Sequence, residues 1–402
     1  VGTVGTNVGI TTSNGSVTVT TTTGDLSLSN AISVGTGNVT LEATSGSILD
    51  INDGSTLITA EDLSLTAKTA IGDITSFSAG TGNAIDVALS GQLTKASVSD
   101  AGGEIFVNFQ GNLTATAGSV NVGGANAASA ILRATGGNID VGTAVDVFSL
   151  SSGDNLAIEA VKVATTGGTL TLPDAGLNVG TGNLRLRGDG DVKDAAGREL
   201  GMLTANDLSF TSGAAGGATT INTTINTLTA QVTGSGAALT INEADGLTLT
   251  DIDTNNGNVT VNAAQTATGN IVVTDINTTN FNTVASTARV MLSTTANGGA
   301  ITDFENDGTS GTPDITSRDV ELRATTGIGD SAGNGTIEIA ATNLAAITNI
   351  GDIQLRNFAD PVAAAATELD GDLVLTTVNG TAGASIANAS SGNDVLISAD
   401  GT

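Results

Sequence analysis

The residues best placed to do chemistry lie between Asp303 and Asp314, which read DFENDGTSGTPD. Asp303, Glu305 and Asp307 occupy positions 1, 3 and 5, Gly308 occupies position 6, and Asp314 closes at position 12. That spacing approximates the calcium loop D-x-[DN]-x-[DN]-G-x5-E, whose oxygen ligands wrap a hard cation around a glycine turn. The sequence departs from it twice, with Glu305 at a position that favours a short side chain and Asp314 in place of the long bidentate Glu. The expectation is therefore a Ca2+ site at Asp303, Glu305, Asp307 and Asp314, in competition with a solvated loop inserted between structural repeats. DIDTNNGN at 251–258 is a poorer version, because its Gly257 falls one position late.

Other chemistry is closed off by composition. The 402 residues include no Cys and no His, which removes thiolate nucleophiles, structural zinc and the usual general base. Paired carboxylates alone can cleave glycosides, but no pair stands apart from the acidic residues spread along the chain. There is no Trp or Tyr to stack on a sugar, and 12 basic residues are too scattered to supply a lyase base. The chain is expected not to be an enzyme, with a polysaccharide-active protein as the third and weakest reading. A net charge of −28 opposes any phosphate-tracking surface, so no nucleic-acid partner is expected. No apolar run approaches the roughly 18 residues of a membrane span, so no membrane insertion is expected.

Charge this high and aromatics at 2% would suit disorder, yet mean hydropathy is +0.20. The chain therefore folds, around a thin aliphatic core rather than a large aromatic one. Short alternating segments recur throughout, each with the period of two and the β-branched content of a strand. In the first half they are SVTV (16–19), DLSL (25–28), NVTL (38–41), DLSL (62–65), AIDV (84–87), EIFV (104–107), SVNV (119–122), NIDV (138–141), NLAI (155–158), TLTL (169–172), NLRL (183–186) and DLSF (207–210). The second half has ALTI (238–241), NVTV (258–261), NIVV (270–273), DVEL (319–322), TIEI (336–339), DIQL (352–355), DLVL (372–375) and DVLI (394–397).

Many of these open with Asn or Asp behind a Gly, residue types that tolerate left-handed corners. Two stretches, 194–204 and 361–370, are the best helix candidates. The phrase DLSLTAKTAIGD (62–73) returns as DVELRATTGIGD (319–330), with looser versions at 183–194 and 38–50. A phrase used repeatedly is architecture: strand residues point inward, a turn follows, an aliphatic residue re-enters the core, and the closing Asp caps the corner. Segments often begin about 20 residues apart, a spacing that suggests stacked coils rather than a sandwich. The expectation is an all-β parallel β-helix of some twenty coils, each of roughly 20 residues. It runs as one continuous solenoid over 1–402, with loop insertions near 194–204, 303–314 and 358–370. Both ends fall mid-pattern, so the chain is read as an excerpt or processed part of a longer one.

Tandem LxLxAxxGIGD units in a Cys-free chain rich in Thr, Asn and Gly resemble the repeats of filamentous-haemagglutinin-like bacterial surface proteins. That resemblance implies a right-handed parallel β-helical shaft at the cell surface or outside a bacterium, used in adhesion or matrix building. The expected function is thus a structural, extracellular shaft or filament subunit whose partner is a further copy of itself. The alternative is a ligand-binding adhesin whose inserted loops recognise a glycan or host receptor. Thr-rich stretches such as 16–25 and 219–230 fit the outer face of strands; their spacing is too irregular for an ice-binding lattice.

Overall fold

The computed structural model describes the chain apart from residues 1–2, 5–6, 52–56, 123–127, 143–146, 215, 280–286, 295, 305–312, 330–334, 342, 350–352, 359–372, 378–394 and 401–402. Among the described residues there is no helix, and strands stack in parallel into a β-solenoid of about 13 turns. All twenty four-residue segments read from the sequence overlap strands. The chain divides into two compact units, 1–206 with 211–213, and 207–210 with 214–402.

In the first unit one parallel face stacks Val17–Thr21, Val39–Ala43, Leu63–Ala67, Leu93–Val98, Val120–Val122 and Phe148–Ser149. A second face includes Glu104–Gln110, Ser129–Thr135, Asn155–Val161 and Leu184–Gly188. A third carries Leu113–Thr114, Ile139–Asp140, Thr169–Leu172 and Asp191–Asp194. Within strands such as Val39–Ala43 and Leu63–Ala67, buried and half-buried residues alternate. Alternation turns every second side chain inward, where each meets its counterpart one coil away.

The second unit alternates between two faces. On one of them Leu239, Val259, Val290, Val320 and Leu344 pair in register across five coils. Ile241, Val261, Leu292, Leu322 and Ala346 form the adjacent interior row, also in register. These rows are the core, and all ten side chains are buried. Aliphatic burial at about 1.5–3 kcal/mol per side chain supplies stability without aromatics.

Coil length differs from the expected 20 residues. That step holds where Ala218 pairs with Ala238 and Leu239 with Val259. Elsewhere Val17 pairs with Val39, Leu63 with Leu93, Val259 with Val290 and Ile276 with Ile315, so coils lengthen to 22, 30, 31 and 39 residues. The 19 residues from Ser119 to Asn138 connect two faces of one coil rather than two coils. Longer coils explain why the chain makes fewer turns than expected.

Two local expectations are corrected. The stretch 194–204 is neither helix nor inserted loop: it joins Asp191–Asp194 to the strand Glu199–Thr204. Its helical look came from Ala, Glu, Leu and Met, whose propensity gives way to pairing with neighbouring coils. The other helix candidate, 361–370, lies outside the described residues, as does nearly all of the proposed insertion at 358–370. The strands and corner of the repeated phrase follow the reading. Leu63–Ala67 leads to Ala70–Ile71, and Asp319–Ala324 leads to Gly327–Ile328, each a strand, a corner and a second strand.

Candidate functional site

Of the four residues expected to bind Ca2+, Asp303 and Asp314 are brought together. Glu305 and Asp307 lie outside the described residues. Asp303 ends the strand Ala300–Asp303, and Asp314 precedes Ile315–Thr316 on the same face. The next coil contributes Glu338, because Ile315 pairs with Ile339 and sets Glu338 level with Asp314. Carboxylate oxygens of Asp303, Asp314 and Glu338 all lie within 4.8 Å of one another, and all three residues are buried. The Glu338 amide donates to Asp314 Oδ2 at 2.9 Å.

Burial pushes the Asp314 carboxyl up to about 8, and the neighbouring Asp303 and Glu338 carboxylates push the same way. The Glu338 amide bond opposes the shift without cancelling it. Three buried carboxylates at this separation cannot all ionise alone; a proton or a cation must join them. An all-oxygen donor set suits a hard divalent cation, and three carboxylates supply part of the six to eight oxygens that calcium takes. Sequence reasoning missed Glu338, which sits 24 residues beyond Asp314 and joins only through coil register.

No protein-family model, curated protein or solved structure matches the chain. Its chemistry is therefore read from the geometry alone.

Most remaining polar side chains that open strands are bonded between coils. Asn112 Oδ1 accepts the Asn138 amide at 2.9 Å, and Asn138 Oδ1 accepts the Thr169 amide at 3.0 Å. Asn155 accepts from Asn183, Asn258 from Arg289, and Asn270 from Ala300 in the same way. Asp25 and Asp62 do likewise for the amides of Ser47 and Gln92. In DIDTNNGN (251–258) Asn256 adopts a φ of 61° and accepts the Thr287 amide.

Ahead of Asn112 the glycine is left-handed as expected, with a φ of 118° at Gly111, but ahead of other such Asn residues it has a different job. In GTGN at 180–183 the left-handed residue is Gly180, with a φ of 59°. Gly182 has an ordinary φ, but a Cβ there would collide with the carbonyl oxygen of Asp154 one coil away. Capping by the closing Asp of the repeated phrase holds at Asp194, whose Oδ1 accepts the Gly197 amide at 2.7 Å. Asp73 is exposed and Asp330 lies outside the described residues.

A second buried acid stands at a corner of the second unit. Glu243 is fully buried and accepts backbone amides from Ala244 at 2.9 Å and Ile225 at 3.3 Å. Burial pushes its carboxyl up to about 7 against the pull of those hydrogen bonds.

Proposed function

We propose that this chain is a structural protein of the bacterial cell surface or extracellular space, a right-handed β-solenoid shaft or filament subunit whose partner is another copy of itself. The observation that carries this reading is where the side chains go. Aliphatic residues form in-register interior rows, and strand-opening Asn and Asp residues bond to backbone amides of the next coil. Both arrangements serve stacking, and stacking is what a repeat protein offers a long structure. Right-handed crossovers are the rule for parallel strands joined in one sheet.

Sedimentation of the purified chain over a range of concentrations tests the reading. A structural subunit assembles with rising concentration and without added ligand. A chain that remains monomeric yet binds a glycan or receptor saturably would instead be an adhesin.

The same reading includes a calcium ion at Asp303, Asp314 and Glu338, held as a structural tie between two coils. Near pH 8.5, chelation should lower the melting temperature, and Glu338→Gln should abolish that response. An identical melt with chelator and with calcium would remove the ion from the account.

A further inference from the structure

A hairpin leaves the first unit's coil between Ile71 and Ile85, formed by the antiparallel strands Asp73–Ser76 and Thr81–Asn83. It folds back along the outside of the second face, crossing the strands of the following coils. Ile74 and Phe77 pack on a row made by Phe106, Ile131 and Ala157, whose side chains point out of the solenoid. The Ile74 amide donates to Glu104 at 3.2 Å. At the tip, Arg133 donates to the Gly80 carbonyl at 2.6 Å, and Arg185 donates to the Ser78 carbonyl at 3.1 Å. Glu159 lies between the two arginines, 2.6 Å from Arg133 and 2.9 Å from Arg185, with its side chain 1% exposed. The Arg133 guanidinium also sits 5.2 Å from the centre of the Phe106 ring.

Register sets the reach of this hairpin. Ile85 pairs with Val107, Asn108 with Arg133, Arg133 with Glu159, and Ala157 with Arg185. The tip therefore touches the fourth coil beyond the one it leaves, about 19 Å along the stack at the strand spacing. In a solenoid each coil normally contacts only its neighbours, so coils can open one at a time from an end. A tie that skips coils removes that freedom.

We propose that the 73–83 hairpin is a longitudinal strap that makes five coils of the first unit open as one cooperative block, with Glu159 as the keystone of its tip. The tip is built for that position: Gly80 is buried with a φ of 63°, and any side chain there would strike Arg133, Arg185 and Glu159. The strap holds whether or not chains assemble, so its fate is separate from that of the filament reading.

Hydrogen exchange followed by mass spectrometry on the full chain tests it. Two variants are compared with the native protein: Glu159→Gln, and a shortened hairpin in which residues 75–81 are replaced by Asn-Gly. In the native protein, Ser129–Thr135, Asn155–Val161 and Leu184–Gly188 should share one opening rate. In the shortened variant they should exchange about tenfold faster and at separate rates, with Ala238–Glu243 in the other unit unchanged. Glu159→Gln should move them in the same direction by less, and it decides the matter if the shortened chain does not fold. Unchanged exchange in those three strands would overturn the proposal. So would an equal rise at Val17–Thr21 and Val39–Ala43, in the coils before the strapped ones, which signals general loosening rather than a released strap.

Discussion

At the scale of single residues, the structure divides labour that the sequence blurs. Gly and Asn before a strand read alike as turn formers, yet Gly182 is required by the carbonyl of Asp154 beneath it, and Asn138 by the amide of Thr169. Both reasons lie a coil away in space, where sequence reading has no view. Gly182→Ala should therefore destabilise the first unit by about 1–3 kcal/mol through overpacking against backbone. Asn138→Ala should lose about 1 kcal/mol, whereas Asn138→Asp, which keeps an acceptor oxygen, should lose less. Urea unfolding of the three variants checks the order. Glu243 makes a pH prediction. Its folded-state pKa lies above that of the unfolded chain, so its contribution is complete below about 4.5 and lost as pH rises through about 7. The second unit should melt lower at pH 8 than at pH 5, and Glu243→Gln should flatten that slope.

At the scale of elements, the fold was largely legible. Strand period, β-branched content and the twice-used phrase at 62–73 and 319–330 marked real strand–corner–strand modules. Two things were not legible. Coil length depends on which segments share a face, and spacing alone does not separate the next face from the next coil. The 73–83 hairpin was the other. Its traces were rare residues, Phe77 and Phe106 in a chain with eight Phe, and Arg133 and Arg185 among 12 basic residues. In a repetitive sequence the uncommon side chain marks the departure from repetition. The interior rows make their own prediction. Leu292 is fully buried between Val261 and Leu322, so Leu292→Ala should cost about 2–5 kcal/mol in thermal or urea unfolding. An exposed position on the same strand, Arg289, should tolerate Ala with a small change.

At the scale of the whole molecule, two of the three carboxylates of the candidate cation site were visible in sequence. Asp303 and Asp314 came from loop spacing; Glu338 came only from stacking. The proposed function starts from composition: a chain without His, Cys, Trp or Tyr builds its core from small and aliphatic side chains, which suits thin stacked coils. The central claim is that stacking itself is the function. Electron microscopy with diffraction from the native assemblies tests it most directly. Long filaments with a repeat of about 4.8 Å along their axis are the expected result. Dispersed particles that form no filaments at any concentration, each carrying a distinct ligand-binding head, would contradict it.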